Sequence, residues 1–173
     1  MKHTNIEIKA RCNNQETIRN ILKTGNADFK GTDRQIDTYF KVNSGRLKLR
    51  EGTVENALIH YNREDKYDAK ESDIILYQNS KNSLLKELLT RALGLLITVD
   101  KEREIYFIGN VKFHLDKVVG LGEFIEIEAI GNENADKENL MSQCKFYLNL
   151  FGINKEDLVP VSYSDLLIEK RNG

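Results

Sequence analysis

The residues best suited to chemistry lie at alternating positions of short segments. In the stretch Asn5–Arg11, polar and aliphatic side chains alternate, which is typical of a β-strand with two different faces. Glu7, Lys9 and Arg11 share one face, so an acid lies beside two bases. Carboxylates ligate hard cations, whereas ammonium and guanidinium groups bind phosphate oxygens. We therefore interpret this strand as one wall of a charged cavity that holds a metal and a polyanion.

Later segments repeat this separation of charged and aliphatic side chains onto opposite faces. The bases on the charged faces are Lys9, Arg11, Arg46, Lys48, Arg50, Arg63, Lys101, Arg103 and Lys112, and the acids are Glu7, Asp116, Glu126 and Glu128. One such face alone is ordinarily a solvated surface, but several together indicate an enclosed space. If these residues face one cavity, we expect that nothing inside the protein neutralises the excess of bases. Because unpaired buried charge costs several kcal/mol per ion, we expect a bound anion such as a triphosphate to neutralise it.

The acids in this set predict a divalent metal. Phosphate tolerates carboxylates nearby when a cation bridges them, and Mg²⁺ or Mn²⁺ prefers oxygen ligands. We assign Glu7, Glu126 and Glu128 to that metal, which in phosphoryl transfer neutralises the developing charge. Lys9 and Asp116 are the candidates for moving a proton, and they are the predicted catalytic residues.

The composition bounds the class of protein. A chain of 173 residues, 40% hydrophobic and 31% charged, suits one globular domain over residues 1–173. Its net charge of −1 argues against a nucleic-acid partner. We find neither an apolar run of membrane-spanning length nor a signal-peptide pattern. We therefore expect a cytoplasmic protein, monomer or homodimer, with Cys12 and Cys144 as free thiols.

Seven or eight strands and three or four helices must position these residues. The predicted strands are Asn5–Arg11, Gln35–Val42, Arg46–Glu51, Ala57–Glu64, Asp73–Tyr77, Thr98–Phe107, Val111–Val118 and Glu123–Ile130. The predicted helices run from Asn14 to Thr24, from Ser80 to Gly94, from Ala135 to Leu150, and from Ser162 or Ser164 through Leu167. Short turns join most strands, which favours a mainly antiparallel α+β domain whose helices cover the aliphatic faces. The leucines between Leu84 and Leu93 are expected to pack against the core, Asp65–Ser72 to form a loop, and Lys70 to be exposed.

With these residues the chain resembles, over essentially its whole length, the CYTH group of triphosphate tunnel proteins. The signature of that group is Glu-x-Glu-x-Lys on the first strand, followed by basic strands and a late acidic strand. The positions that match it are Glu7, Lys9, Arg46, Lys48, Arg50, Arg63, Lys101, Arg103, the segment His114–Asp116 and the segment Gly120–Glu128. The resemblance implies an eight-stranded antiparallel β-barrel, or tunnel, with flanking helices. It also implies a reaction on a triphosphate that depends on Mg²⁺ or Mn²⁺.

The resemblance leaves the reaction open between branches of the group. Three stretches are similar to the class IV adenylyl cyclases, namely Gln35–Phe40, Gly45–Glu51 and Asp157–Leu167. That branch implies conversion of ATP to cyclic AMP and pyrophosphate. The alternatives are hydrolysis of thiamine triphosphate or tripolyphosphate, or a module that binds polyphosphate or nucleotide without turnover. Asn5 stands where the signature has its first Glu and offers an oxygen without charge, so a second metal, where the group uses one, is held less firmly.

Overall fold

Eight antiparallel strands form a closed ring in the computed structural model, which describes residues 2–65, 68–81, 83–132 and 134–173. The strands are β1 (Lys2–Arg11), β2 (Asp28–Phe40), β3 (Arg46–Glu51), β4 (Asn56–Arg63), β5 (Lys70–Gln78), β6 (Leu95–Ile108), β7 (Val111–Val118) and β8 (Gly122–Gly131). The helices are α1 (Gln15–Thr24), α2 (Leu85–Leu93), α3 (Lys137–Leu150) and α4 (Tyr163–Asn172), with a short 3-10 turn at Lys155–Asp157. Neighbours around the ring follow the order β1, β5, β4, β3, β2, β6, β7, β8, and β8 pairs with β1 to close it. The predicted fold, an antiparallel eight-stranded barrel with flanking helices, is confirmed.

The main hydrophobic core lies outside the barrel wall, under α1 and α3. Phe113 of β7 and Ile127 of β8 are buried on the outer face, where Leu22 of α1 and Cys144 of α3 join the same cluster. Because successive residues of a strand point to opposite faces, burying these aliphatic positions outside turns the intervening charged residues inward. The same packing that stabilises the fold therefore creates the charged interior.

The C-terminal segment lies across one end of the barrel. The carbonyl oxygen of Val159 accepts a hydrogen bond from Lys70 Nζ at 2.9 Å, and that of Val161 accepts one from Lys9 Nζ at 3.3 Å. Ser162 then caps α4, as predicted, and forms a capping box with Asp165. Buried lysines that donate to these carbonyls fix the segment over the interior.

Several predicted boundaries are wrong, and pairing between distant strands is the reason. β2 begins at Asp28 rather than at Gln35, because its polar first half also pairs with β6, with a register shift between Phe29 and Gly31. The predicted loop Asp65–Ser72 includes the start of β5, where Lys70 pairs with Glu7 of β1. Lys70 is therefore buried rather than exposed. Backbone pairing of this kind extends strands through segments whose side chains carry no alternating pattern.

The second helix differs from its prediction in both its start and its packing. It begins at Leu85 after an N-cap residue, Leu84, that makes no side-chain capping bond, so the predicted cap at Ser80 is wrong. None of the residues of α2 is buried, and Leu84 and Leu88 are 78% and 60% exposed. The leucine spacing predicts the helix correctly, but these leucines do not pack against the core. No helix in the described part of the chain combines the length and apolar character needed to span a membrane.

This exposure leads to a prediction about stability. Leu88→Ala is expected to change the free energy of unfolding by no more than about 0.5 kcal/mol, because an exposed side chain loses little burial. Leu22→Ala, in the buried stripe of α1, is the matched control and is expected to cost about 2–5 kcal/mol. Urea denaturation of both variants measures the difference. Equal losses would show that α2 is packed as tightly as α1.

Candidate functional site

The barrel encloses a cavity of about 760 Å³. Within the described residues, seven bases and five acids line it. The bases are Lys9, Lys48, Arg50, Arg63, Lys101, Arg103 and Lys112, and the acids are Glu7, Asp37, Glu55, Glu126 and Glu128. These residues come from seven strands and one turn, so distant parts of the chain meet in one enclosed space.

Strand register explains why acids and bases meet on the interior wall. Glu7 of β1 lies opposite Glu128 of β8, which in turn lies opposite Lys112 of β7. One step along the barrel, Lys9 lies opposite Glu126 and Glu126 opposite His114. Paired residues on neighbouring strands project to the same face and their side chains meet, so each row joins acidic and basic groups.

His114, Glu126 and Glu128 form a group whose potential metal-ligating atoms lie within 4.8 Å of one another. His114 Nδ1 is 3.1 Å from Glu126 Oε2 and 3.6 Å from Glu128 Oε1. Burial, reinforced by Arg103 and Lys112, lowers the pKa of His114 to about 3. The imidazole is therefore neutral near pH 7, and we assign the Nδ1 hydrogen to the bond with the Glu126 carboxylate.

The acidic side of the cavity fits a divalent cation. Burial raises the pKa of Glu128 to about 7, and the neighbouring carboxylates Glu7 and Glu126 add to that shift. Asn5 Nδ2 lies 3.4 Å from Glu128 Oε2, while the buried Asn5 Oδ1 makes no hydrogen bond to any described residue. A cation among these oxygens would favour ionised Glu128 and occupy the unpaired amide oxygen. Glu7, the third predicted ligand, is next to this group in register and forms an ion pair with Arg63.

Lys9 lies at the junction between the acidic group and the C-terminal segment. Its Nζ is 3.2 Å from Glu126 Oε1 and 4.1 Å from the centre of the Tyr163 ring. Burial lowers the pKa of Lys9, against the opposing effect of Glu126. A buried amine whose proton is less tightly held is suited to proton transfer, which is the role predicted for Lys9.

Asp37 is the centre of the basic side of the cavity. It accepts hydrogen bonds from Lys48 Nζ at 3.1 Å, from Lys101 Nζ at 2.7 Å and from Arg50 Nε at 2.9 Å. Burial opposes its ionisation, but these three cations hold the pKa of Asp37 well below its ordinary range. Asp37 is not among the acids predicted from the sequence to face the cavity. It lies two residues from Tyr39 on β2, and this spacing places both side chains on the same face of the strand.

Asp116 is buried on the same face of β7 as Lys112 and His114, but it does not line the cavity. Its carboxylate accepts two hydrogen bonds from Arg103, at 2.6 and 2.5 Å, and one from the Tyr163 hydroxyl at 2.7 Å. The structure thus gives Asp116 contacts that orient Arg103. It does not bring Asp116 into the space where a ligand would lie, and a proton-transfer role for it gains no support.

Two of the predicted phosphate-binding bases, Arg11 and Arg46, do not line the cavity. Arg11 is exposed and donates to the carbonyl oxygen of Leu121 at 3.1 Å. Arg46 forms ion pairs with Asp65 at 2.9 Å and Asp165 at 2.8 Å. The structure therefore separates these two residues from the seven bases that converge.

The expectation that nothing inside the protein neutralises the bases is wrong. Each of the seven bases that line the cavity forms an ion pair with a carboxylate in the described structure. The pairs are Lys9–Glu126, Lys48–Asp37, Arg50–Asp37, Arg63–Glu7, Lys101–Asp37, Arg103–Asp116 and Lys112–Glu55. Asp37 and Glu55, which the sequence analysis left out, supply much of that neutralisation. A bound anion must therefore compete with carboxylates of the protein itself.

The comparisons agree with this architecture. The family model of the CYTH domain matches residues 3–163. The PH1012 protein of Pyrococcus horikoshii OT3 is 28% identical, with a TM-score of 0.82 over 94% of this chain and 98% of that one. A candidate adenylate cyclase from Vibrio parahaemolyticus is 19% identical, with a TM-score of 0.71 over 94% and 97% of the two chains. None of the curated proteins matches the sequence.

A further structural relative is the candidate adenylyl cyclase HpAC1 from Hippeastrum, described as having a dominant triphosphatase activity. It is 11% identical, with a TM-score of 0.63 over 98% of this chain and 96% of that one. At such identities the Vibrio and Hippeastrum proteins show the fold alone. The family match, in contrast, spans nearly the whole sequence and includes every residue found to line the cavity. The chain therefore belongs to the CYTH domain family.

Proposed function

We propose that this protein is an enzyme that binds a triphosphate inside the barrel and acts on it with the help of Mg²⁺ or Mn²⁺. The observation that carries the proposal is the convergence of seven bases on one cavity that also holds a group of potential metal ligands. Arg and Lys donors suit phosphate oxygens, and carboxylates beside phosphate suit a bridging cation. A solvated surface requires neither arrangement.

In this proposal, one set of residues binds phosphate and another holds the metal. Lys48, Arg50 and Lys101, which surround Asp37, bind the phosphates furthest from the metal. Arg63, Arg103 and Lys112 lie beside the acidic ligands and bind phosphate oxygens next to the metal. Glu126, Glu128 and Asn5 hold the metal, with Glu7 next to them in register. When bound, such a metal neutralises charge that develops on the phosphate oxygens.

An apolar wall of the cavity favours a substrate with an organic group. Ile59 of β4 pairs with Leu76 of β5, and both line the cavity. Tyr39 and Tyr61 lie on the same interior surface and carry aromatic faces. These side chains offer a base or another ring system contacts that inorganic tripolyphosphate cannot use. The wall therefore supports a nucleoside or other organic triphosphate.

The reaction we favour is that of a class IV adenylyl cyclase. The 3′-oxygen of the ATP ribose attacks the α-phosphorus, the bond to the β-phosphate oxygen breaks, and cyclic AMP and pyrophosphate form. Lys9 in its amine form accepts the proton of the 3′-hydroxyl, which its lowered pKa assists. The basic residues hold the departing pyrophosphate and stabilise its charge.

The second candidate is a triphosphatase, which the activity described for the Hippeastrum relative favours. The same walls hold the anion, but water attacks the terminal phosphorus, the bond from that phosphorus to the bridging oxygen breaks, and orthophosphate and the diphosphate form. A module that binds polyphosphate or nucleotide without turnover is the remaining alternative, consistent with Asn5 carrying no charge.

One experiment separates these three functions. The protein is incubated with ATP, thiamine triphosphate and tripolyphosphate, each with Mg²⁺ or Mn²⁺, and cyclic AMP and released phosphate are assayed. Cyclic AMP from ATP would establish the cyclase, and orthophosphate without cyclic AMP would establish the triphosphatase. Tight binding without product from any of the three would identify the binding module.

Lys48 allows a test of phosphate binding. Lys48→Ala is expected to weaken binding of tripolyphosphate about tenfold or more, because Lys48 faces the cavity and loses a charge-assisted contact with a distal phosphate. Binding of orthophosphate is expected to change much less, since one phosphate can use the other bases. Isothermal titration calorimetry measures both affinities.

The matched control for that measurement is Lys41→Ala. Lys41 is exposed, lies directly after β2 and does not line the cavity. The control is expected to leave both affinities unchanged. Equal losses for tripolyphosphate and orthophosphate in Lys48→Ala would show that Lys48 does not contact the distal phosphates.

A further inference from the structure

The turn between β3 and β4 is built around one buried carboxylate, Asp33. Its Oδ1 accepts hydrogen bonds from the amides of Thr53 and Val54 at 2.6 and 3.0 Å. Its Oδ2 accepts from the Glu55 amide at 2.9 Å and from Gln35 Nε2 at 2.8 Å. Three consecutive amides bound to one acid hold this turn in a single conformation.

Close packing at Gly52 fixes the same turn from its other side. A Cβ atom there would lie 2.6 Å from Asp33 Oδ1 and 2.6 Å from the Glu55 carbonyl oxygen, so only glycine fits. Asn56 exchanges hydrogen bonds with the Gly52 backbone, accepting at 3.2 Å and donating at 2.9 Å. The turn therefore fixes the position of the Glu55 side chain.

The Glu55 side chain lies inside the barrel, between the bases Arg50 and Lys112. Glu55 Oε2 accepts a hydrogen bond from Arg50 Nη1 at 2.9 Å, and Oε1 forms an ion pair with Lys112 Nζ. Gln35 Nε2 also donates to Glu55, at 3.2 Å. Arg50 already uses Nε and Nη2 on Asp37, so Glu55 takes the guanidinium edge that remains.

Lys112 depends on Glu55 even more than Arg50 does. In the described structure, Glu55 is the acid with which Lys112 forms an ion pair. Arg50 and Lys112 hold the pKa of Glu55 well below its ordinary range, although burial opposes its ionisation. A phosphate that contacts these two bases must therefore remove an ionised carboxylate first.

We propose that Glu55 is a built-in counter-anion that substrate must displace from Arg50 and Lys112, so that only an anion with enough charge to offset this cost binds appreciably. The inference rests on the proposed function and adds a selection step to it. An anion of low charge gains too little from the two bases to replace the carboxylate, whereas a triphosphate also engages Lys48 and Lys101. Asp33 is then a positioning residue that acts through the turn.

The test measures binding of tripolyphosphate and of pyrophosphate by calorimetry in buffer with EDTA, which removes metal ions. Glu55→Gln is expected to tighten binding of both anions about tenfold or more, because the competing charge is gone while the shape is kept. Glu51→Gln is the matched control. Glu51 ends β3, pairs with Lys86 at 2.8 Å and does not line the cavity, so its variant should bind as wild type does.

The direction of the change in affinity on Glu55→Gln tests the role of Glu55. Weaker binding in Glu55→Gln, or binding equal to that of Glu51→Gln, overturns the role of Glu55 while wild-type binding still supports the proposed function. Absence of binding in wild type and in both variants, in EDTA and again with Mg²⁺ in its place, overturns the proposed function and this inference together. Absence of binding in all three proteins in EDTA alone overturns only this inference. Binding by Glu55→Gln alone supports the counter-anion directly, since it exposes bases that the carboxylate had covered.

A measurement on the wild-type protein covers the case in which Glu55→Gln fails to fold. A crystal structure with tripolyphosphate, grown without metal, is expected to show the Glu55 carboxylate moved away from Lys112 Nζ and phosphate oxygens in its place. Glu55 still paired with Arg50 and Lys112 beside a bound tripolyphosphate would overturn the inference.

Discussion

Glu128→Gln is expected to lower metal-dependent turnover about 10²–10³-fold, the loss typical of removing one group that stabilises charge in a transition state. The amide keeps the size of the side chain but removes the charge that a cation needs among Glu126, Glu128 and Asn5. The fold should survive, because burial and the neighbouring acids already disfavour ionised Glu128. Turnover is measured at saturating substrate over a range of Mg²⁺ and Mn²⁺ concentrations, and thermal unfolding is followed separately.

Glu123→Gln provides the matched control for Glu128→Gln on the same strand. Glu123 is partly exposed, lies 3.9 Å from Lys117 and does not line the cavity. It is expected to leave turnover and its metal dependence unchanged. Wild-type rates in Glu128→Gln at every metal concentration would remove Glu128 from the metal site.

Asp37→Ala is expected to lower the free energy of unfolding by about 3–5 kcal/mol, the range seen when one partner of a buried ion pair is removed. The change leaves Lys48, Arg50 and Lys101 close together around a missing acid, and each loses a hydrogen bond. Added tripolyphosphate should recover part of the loss by supplying the anion that these bases lack. Urea denaturation with and without tripolyphosphate measures both effects.

The pH dependence of Asp37 has a definite sign. Its folded pKa lies well below its unfolded value, so its contribution to stability is complete above an unfolded pKa of about 3.9. That contribution is lost as the pH falls through the folded pKa. The difference in stability between wild type and Asp37→Ala should therefore shrink in strong acid.

Asp28→Asn is the control for Asp37→Ala. Asp28 begins the same strand, is exposed and pairs with Lys30, so its variant is expected to change stability by no more than about 0.5 kcal/mol. A loss in Asp37→Ala no larger than this would show that the three bases do not depend on Asp37.

Strict alternation made part of the interior predictable from the sequence. On β7 and β8, aliphatic residues at every second position identify the outer face, and Lys112, Glu126 and Glu128 follow on the inner one. β1 behaves in the same way for Glu7 and Lys9. A period of two tells which side of the sheet a side chain occupies. In a closed barrel, that side decides whether the side chain points into the interior or away from it.

The alternation of residues does not show how far along the barrel axis a side chain lies. Arg11 and Arg46 belong to faces that the alternation predicts correctly, yet their side chains bind Leu121 and two aspartates outside the cavity. Glu55 was missed for a different reason, because it lies in a turn where no period applies and a distant acid, Asp33, sets its position. The α2 leucines mark one face of a helix, but periodicity does not show whether anything packs against that face.

The covered end of the barrel has a consequence for kinetics. Because Lys9 and Lys70 hold the C-terminal segment over this end, we infer that substrate and products pass through the opposite opening. A reaction that splits one substrate into two fragments must then release first the fragment nearer the opening, and the deeper fragment stays behind. The retained product should therefore act as a competitive inhibitor towards fresh substrate, and its identity would reveal the direction in which the substrate had entered.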